Sequence, residues 1–319
     1  MAVARIEELQ LPIPRELQPL PSLLETEFAY SSKAGFGTVR IDLGNALDHY
    51  SHWKRPTVIV SDGAYGVSGF PGDPPTPEGL NDWYSPHVAA WSAQALPETS
   101  LWFWNTEVGW ATVHPLLVKH GWEYRTLHVW DKGTGHIAGN VNGLTIRRFP
   151  VVTEVCAHYV RAVRLPCCDG LDRPLKEWLR FEWARTGLPF SKTNEACRVA
   201  NAATRKYFTK DHLWYFPPPE MIEQLAAYAS AYGTPTQWPY FSVDGMEPMS
   251  GHQWSKLRSK WHHVHGITNV WTEPAVRGSE RLKRSGSKVV HSNQKPIKLI
   301  ERIVVASRAF SGSCGGHAG

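Results

Sequence analysis

The sequence has 319 residues, of which 42% are hydrophobic and 20% are charged, and its formal net charge at pH 7 is +5. This composition excludes a disordered chain, and no apolar run reaches the roughly 18 residues that a membrane-spanning helix needs. The N-terminus has no apolar region of the kind found in signal peptides, and five cysteines without regular spacing fit a reducing compartment. We therefore expect a cytoplasmic protein without membrane segments.

The first half of the chain alternates between strand-like and helix-like segments. Residues 1–35 are expected to form an N-terminal arm. The run TVIVS at residues 57–61 is rich in β-branched residues and predicts a strand that is buried on both faces. The other segments predicted here are strands within residues 38–47, 100–105, 124–133 and 149–162, and helices at 83–96 and 109–121, the second ending at Gly121.

Strands that alternate with helices predict an α/β fold with a Rossmann-like, wound and mostly parallel sheet. In such sheets, ligands bind beyond the carboxyl ends of the strands. Asp62 and Tyr65, in the loop SDGAYG, follow the strand at 57–61 and therefore lie where a site is expected. Taken alone, Asp62 is equally compatible with a turn-forming aspartate and Tyr65 with a core aromatic residue.

The pattern becomes mainly helical from about residue 165 to residue 268. Two short helical stretches, SKTNEACRV and NAATRKYF, are joined by a tight link, and Ser191 or Thr193 is expected to cap the first. This pair fits an ordinary helical hairpin, which we favour, or a helix-turn-helix. The triplet of histidines in WHHVHG does not have the spacing of a zinc site, so no metal is expected.

Basic residues and one amphipathic helix characterise the end of the chain. Residues 277–298 contain seven lysines and arginines against the single acid Glu280, and a second basic cluster lies at 196–212. Such clusters fit either a polyanionic partner or a solvated surface. The segment KPIKLIERIVVAS predicts a helix that begins after Pro296. The residues expected to share its apolar face are Ile297, Ile300, Ile303 and Val304.

Two of these motifs, in this order, resemble the β arrangement of the amino-methylating DNA methyltransferases. The family's catalytic motif is Asp/Asn/Ser-Pro-Pro-Tyr/Phe, and SDGAYG matches it at Asp62 and Tyr65, with Gly63 and Ala64 in place of the prolines. The family's later motif, His-x-x-Gln-Lys-Pro before a helix, is matched by HSNQKP at residues 291–296. The resemblance spans roughly residues 39–307, and each motif alone would be weak.

The resemblance implies an S-adenosylmethionine-dependent enzyme of the restriction-modification type that methylates double-stranded DNA. Its target would be an exocyclic base amine, adenine N6 in preference to cytosine N4, because Asp rather than Ser begins the motif. The Asp62 carboxylate and the Gly63 carbonyl would accept hydrogen bonds from the amine, and Tyr65 would stack on the flipped-out base. Without its two prolines, this loop is expected to be more mobile unless Pro71, Pro74 and Pro75 brace it.

The resemblance also divides the chain and assigns further residues. It implies an arm at 1–35, a catalytic part at 36–164, a target-recognition region at 165–268 and a cofactor-binding part at 269–319. The cofactor would contact Gln294, Lys295, Pro296, Phe310, Gly312 and Asp42. The DNA would contact Arg205, Lys206 and Lys210, with phosphate contacts favoured over base contacts.

The C-terminus departs from the family pattern. RAFSGSCGG echoes the family's glycine-rich cofactor loop, but the apolar strand and the acidic-Pro pair before that loop are absent, which suggests a truncated end. Two alternatives therefore stay open: a DNA-binding remnant without catalysis, and a methyltransferase that acts on RNA or protein.

Overall fold

The computed structural model describes residues 44–70, 72–133, 147, 149–263, 265–283 and 293–307. The chain forms two compact units, Met1–His52 and Trp53–Gly319. In the first unit, helix α1 (Ala46–His49) begins after Asn45, whose side chain accepts a hydrogen bond from the Leu47 amide at 3.2 Å. The predicted arm at 1–35 lies outside the described residues.

A five-stranded sheet forms the centre of the second unit. Its strands are β1 (Val58–Ser61), β2 (Ser100–Asn105), β3 (Trp122–Asp131), β4 (Thr153–Arg161) and β7 (Val270–Trp271). They stand in the order β1-β2-β4-β3-β7. A separate two-stranded sheet pairs β5 (Arg164–Pro166) with β6 (Asp172–Pro174).

Four of the five strands run in one direction, which confirms the predicted Rossmann-like, mostly parallel α/β sheet. β1 pairs with β2 and β3 pairs with β7 in parallel, whereas β4 is antiparallel to both β2 and β3. The alternation of strands and helices predicted that β4 would run parallel to its neighbours, and this is wrong. The chain returns beside β3 instead of crossing over to a parallel position.

β1 was predicted to be buried on both faces, and this is wrong. In the described part of the sheet β1 pairs with β2 alone, so it stands at an edge. Ile59 is buried, but Val60 on the other face is 39% exposed. β2 has both faces covered, since all six of its residues are buried, and so has β4 over residues 154–160.

Helices cover both faces of the sheet. On one face lie α2 (Leu80–Gln94) and α3 (Glu107–Lys119), and the ring of Tyr84 in α2 meets that of Phe103 at 5.0 Å. The ends of α3 follow from local chemistry. Thr106 caps its start by accepting from the Gly109 amide at 3.0 Å, and Gly121, with φ +79°, follows its end as predicted.

The other face is covered by α9 (Ile297–Ser307). Its Leu299 and Ile303 pack with Trp102 and Trp104 of β2 in one buried cluster. Trp102 also donates from Nε1 to the Ser307 hydroxyl at 2.9 Å, which fixes the last turn of the helix. The helix itself was predicted, but its expected apolar face is only partly right, because Val304 is 52% exposed and Leu299 takes its place in the core.

The region after β4 is mainly helical, as predicted, and has its own core. Its helices are α4 (Leu175–Arg185), α5 (Lys192–Ala196), α6 (Ala202–Lys206), α7 (Pro219–Tyr232) and α8 (Gly251–Ser255). Trp178, Trp183 and Trp254 are fully buried in this core. None of the helices that the structure describes has the length and apolarity required to cross a bilayer.

The two short helices α5 and α6 pack as a hairpin of five residues each. The predicted cap is wrong: Ser191 occupies the position before α5, but its side chain makes no capping bond, and the Thr193 hydroxyl donates to the Phe190 carbonyl at 2.6 Å. The pair is held instead by Asn194, whose side-chain oxygen accepts from the Thr204 amide at 3.1 Å.

Histidine and tryptophan rings alternate on the α9 face of the sheet. His158 stacks on Trp102 with ring centroids 4.4 Å apart, and His128 stacks on Trp271 at 4.6 Å. Burial lowers the pKa of His128 to about 4 and that of His158 to about 3. Both rings are therefore neutral at pH 7 and behave as flat, weakly polar members of the core.

This burial predicts a loss of stability in mild acid. In the unfolded chain a histidine takes up a proton below about pH 6.5, whereas folded His158 stays neutral until about pH 3. The unfolded state thus binds more protons in this window, and the free energy of unfolding falls by up to about 1.4 kcal/mol per pH unit for each such histidine. We expect His158→Phe to weaken this slope between pH 6 and pH 4.5, as measured by urea denaturation. The exposed His252 provides the control, His252→Phe, which should keep the wild-type slope; an unchanged slope in His158→Phe would contradict the prediction.

Candidate active site

The loop that leaves β1 is held rigidly although it lacks the two prolines. The Ala64 carbonyl accepts from the Tyr84 hydroxyl at 3.0 Å and from the Asn105 side-chain amide at 2.9 Å. The Tyr65 amide donates to Asp73 at 3.1 Å. Hydrogen bonds from α2, from β2 and from Asp73 within the loop thus brace it, where the sequence predicted greater mobility unless Pro71, Pro74 and Pro75 did so.

Glycine is required where this loop turns back. Gly66 has φ +66°, and a Cβ at this position would lie 2.7 Å from the Pro77 Cα atom. A Cβ at Gly63 would lie 2.9 Å from the Tyr84 hydroxyl. Side chains at either position would therefore displace the loop that presents Asp62 and Tyr65.

The structure brings Asp62, Tyr65 and Lys295 into direct contact. Lys295 Nζ lies 3.0 Å from Asp62 Oδ1 and 2.7 Å from the Tyr65 hydroxyl, although Tyr65 and Lys295 are 230 residues apart in sequence. The Tyr65 hydroxyl in turn donates to Asp62 Oδ1 at 2.6 Å. The two sequence motifs thus form one polar cluster at the end of β1.

Glu154 completes this cluster and was not identified from the sequence. Its carboxylate lies 3.0 Å from Lys295 Nζ and 3.1 Å from Lys132 Nζ. Glu154 stands at the beginning of β4, opposite Trp130, where β4 enters the sheet beside the end of β3. The available signal was a single acidic residue inside the mostly apolar run VVTEVCAHYV.

The charges in the cluster balance, and most of them are buried. The side chains of Lys295 and Glu154 are 4% and 7% exposed, whereas Asp62 is 34% exposed and forms the solvent-facing side. Burial raises the pKa of Glu154, but Lys295 and Lys132 lower it by more, so that its pKa lies below the usual value. The carboxylate is therefore ionised at neutral pH.

Tyr65 acts as a neutral link between these charges. Burial, followed by the charges of Asp62 and Glu154, raises the pKa of its hydroxyl far above the usual value. The group therefore remains a phenol that donates to Asp62 and accepts from Lys295. The ring of Tyr65 also faces the Lys295 ammonium, 5.0 Å from its centroid, as do the rings of Trp104 at 5.3 Å and Trp130 at 5.9 Å.

The residues around Lys295 fix its position. The Gln294 side chain accepts from the Leu282 amide at 3.0 Å and donates to the Glu280 carbonyl at 2.8 Å. Pro296 is buried immediately before α9. Both residues, predicted to contact a cofactor, here anchor the segment that carries Lys295.

The other predicted site residues lie elsewhere. Arg205, Lys206 and Lys210 belong to the helical region, which follows β4 at its Arg161 end, whereas Glu154 stands at the other end of that strand. Asp42, Phe310 and Gly312 lie outside the described residues, and so does His291. The part of the chain that the structure describes contains no group of three or more His, Cys, Asp or Glu placed to hold a metal ion.

The cluster predicts a large effect for the loss of Lys295. Lys295→Met leaves the buried Glu154 with Lys132 alone, so the pKa of Glu154 should rise and the free energy of unfolding should fall by about 3 kcal/mol. Carboxyl NMR titration and urea denaturation measure the two effects. The double variant Lys295→Met, Glu154→Gln should regain part of the stability, because it no longer buries an undercompensated charge. The control is Lys298→Met, at an exposed lysine of α9. If Lys295→Met and Lys298→Met had the same free energy of unfolding, the ion pairs of Lys295 would not stabilise the fold.

Comparisons with known proteins give structural similarity at low sequence identity. No protein-family model matches the sequence, and no curated protein matches it. The solved structures that are similar in part include the following two. M1.HpyAVI in complex with SAM is 17% identical over 40% of this chain, with a TM-score of 0.25. TTHA0409 of Thermus thermophilus, provisionally assigned as a DNA modification methylase and complexed with S-adenosyl-L-methionine, is 13% identical over 49% of this chain, with a TM-score of 0.27. This chain spans 58% of the first protein and 73% of the second.

Proposed function

We propose that this protein is an S-adenosylmethionine-dependent methyltransferase that acts on an exocyclic amino group of a base in double-stranded DNA, with adenine N6 favoured over cytosine N4. The observation that carries the proposal is the 3.0 Å contact between Asp62 Oδ1 and Lys295 Nζ. It unites the Asp-x-x-Tyr loop and the Gln-Lys-Pro motif, which the resemblance assigns to the two halves of one active site.

The chemistry of the cluster fits a methyl donor and an amine acceptor. The Lys295 ammonium lies among two carboxylates and the faces of three aromatic rings, so the site accommodates a positively charged nitrogen. When bound, S-adenosylmethionine supplies a methyl group on a positively charged sulfur. Within this balanced cluster, Asp62 is the acid that such a group could reach, because it is the one that faces solvent.

Asp62 is the residue proposed to act on the base amine. It is the carboxylate of the cluster that solvent reaches, so an incoming base can approach it. By accepting a hydrogen bond from the NH₂ group, Asp62 draws the nitrogen lone pair out of the ring and directs it toward the methyl group. The proton that the amine loses on methylation passes to Asp62 or through it to solvent.

Tyr65 and Lys295 are proposed to position Asp62. The hydrogen bond from the Tyr65 hydroxyl and the ion pair with Lys295 hold one oxygen of Asp62. Correct placement of reacting groups accounts for much of the rate of a transfer reaction. Stacking of a flipped-out base on Tyr65 stays a prediction, and so does the hydrogen bond from the base amine to the Gly63 carbonyl. In this structure the Tyr65 ring faces the Lys295 ammonium.

The cofactor contacts proposed from the resemblance are Gln294, Lys295, Pro296, Phe310, Gly312 and Asp42. Within the described residues, Gln294 orders the backbone near Lys295 through two hydrogen bonds, which would support a bound cofactor from that side. DNA contacts by Arg205, Lys206 and Lys210 are proposed as phosphate contacts.

A second function, nucleic-acid binding without methyl transfer, is favoured by a different observation. Basic and aromatic side chains line a groove at the far end of β4 from the Asp62 cluster. Calorimetric titration with S-adenosylmethionine separates the two functions, since only the first requires the cofactor.

Methylation assays on RNA and protein substrates test whether the methyl acceptor belongs to a class other than DNA.

The proposal predicts that Asp62→Asn lowers the methylation rate by about 100- to 10,000-fold, because the amide cannot take up the proton. The assay follows transfer of labelled methyl groups to plasmid DNA, and mass spectrometry of the nucleosides distinguishes N6-methyladenine from N4-methylcytosine. Asp82→Asn, at an exposed acid in α2, is the matched control and should retain full activity.

Either of two results would overturn the proposal. Equal activity in Asp62→Asn and Asp82→Asn would remove Asp62 from the reaction. Absence of cofactor binding to the wild-type chain at millimolar S-adenosylmethionine would favour the second function.

A further inference from the structure

A large groove lies between the sheet and the helical region. Its volume is about 910 Å³, at the upper end of the range of small-molecule sites. It is lined by Glu123 at the start of β3 and Arg161 at the end of β4. Arg161 follows Glu154 by seven positions along β4, which corresponds to roughly 23 Å along the strand. The groove is therefore distinct from the Asp62 cluster.

The lining of the groove carries an excess of positive charge. Its ionised side chains are Arg125, Arg161, Arg164, Lys176, Arg258 and Glu123. Arg125 pairs with Glu123 at 3.2 Å. Four cations thus remain without a carboxylate among the residues that line the groove.

The partners that hold these cations are mainly uncharged, apart from the Asp211 carboxyl, whose pKa is lowered in part by the nearby Lys176 ammonium. Lys176 donates to the Lys210 carbonyl at 2.6 Å, and Arg161 donates to the His120 carbonyl at 2.8 Å. Arg258 lies over the ring of Phe216 at 4.4 Å. Carbonyl groups and rings orient a cation but carry no net charge, so the groove attracts anions.

Two aromatic rings are exposed in the same groove. Trp261 is 53% exposed and Tyr215 is 57% exposed, although large aromatic residues are usually buried to a greater extent. Trp261 is a fixed platform, because one side of its ring stacks on His158 at 5.3 Å and His158 stacks on Trp102 at 4.4 Å. A further flat ring can extend this stack from the groove side.

Tyr215 connects the groove to the basic stretch of the helical region. Its amide donates to the Lys206 carbonyl at 2.8 Å, and the Lys206 ammonium lies 5.7 Å from its ring centroid. Lys206 and the neighbouring Arg205 are both exposed. The positive charge of the groove therefore continues onto α6.

We propose that this groove binds single-stranded nucleic acid, with phosphates on Arg164, Lys176 and Arg258 and unpaired bases stacked on Trp261 and Tyr215. A groove that combines cations with exposed rings suits a strand whose bases are free to stack. An acidic peptide would match the charge but not the rings, and a duplex would keep its bases within the helix. The proposal does not rest on methyl transfer.

Fluorescence anisotropy with labelled dT12 and U12, in the absence of S-adenosylmethionine, tests this proposal on the 319-residue chain. We expect either oligonucleotide to bind, and the tighter of the two identifies DNA or RNA as the ligand. Three phosphate contacts predict that the logarithm of the binding constant falls with the logarithm of salt concentration at a slope of about −2. Arg164→Gln and Lys176→Gln should each reduce the steepness of this slope by about 0.7, whereas Lys119→Gln, at an exposed lysine of α3, should not.

Trp261→Ala and Tyr215→Ala should each weaken binding by roughly 5- to 150-fold. Trp261→Phe should restore most of the affinity, which separates stacking from a loss of folding. Tyr232→Ala, at a 66% exposed ring outside the groove, is the matched control and should bind as the wild type does. The proposal is overturned if polyglutamate binds as tightly as the oligonucleotides, if neither oligonucleotide binds, or if the groove and control variants bind the oligonucleotides equally.

Discussion

The Lys295 ammonium is buried between the carboxylates of Asp62 and Glu154, and the candidate site depends on this arrangement. Each partner comes from a different part of the sheet: Asp62 from the loop after β1, Glu154 from the start of β4, and Lys295 from the segment before α9. A buried charge is tolerated only when it is paired. Correct pairing therefore requires that all three elements be in place at once, so the electrostatics of the site and the assembly of the sheet are coupled.

The two ends of the sheet differ in chemical character. At the Glu154 end, acids and lysines compensate each other around the Tyr65 hydroxyl. At the Arg161 end, cations are held by carbonyls and rings and keep their charge. Between the ends, stacked histidine and tryptophan rings fill the α9 face and separate the two polar regions with a layer of rings that are uncharged at neutral pH.

The sequence predicted the elements and the two motifs, but it did not predict the contacts that give the site its form. β2, α3 and α9 were found because their composition and periodicity are local properties. The pairing of Asp62 with Lys295 followed from the family resemblance. Glu154 escaped notice because one acid in an apolar strand has no local pattern, and its role depends on a lysine more than a hundred residues away.

The same reason explains the errors. The exposed position of Val60 and the antiparallel direction of β4 depend on which strands become neighbours, and strand order is a property of the whole chain. The loop after β1 was expected to be more mobile unless Pro71, Pro74 and Pro75 braced it, whereas its Ala64 carbonyl is held by Tyr84 and Asn105, whose side chains reach it from α2 and β2. Turn propensity describes the backbone of a loop and carries no information about partners supplied by other elements.

The length of β4 has a consequence for any strand of nucleic acid that touches both ends of the sheet. A strand with the 3.4 Å rise that it has in a duplex needs about seven nucleotides to cover the roughly 23 Å between Glu154 and Arg161, and a more extended single strand needs fewer. Oligomers much shorter than this reach only one of the two regions at a time. The length of the nucleic acid would then decide whether a strand bound in the groove also raises the local concentration of bases near Asp62.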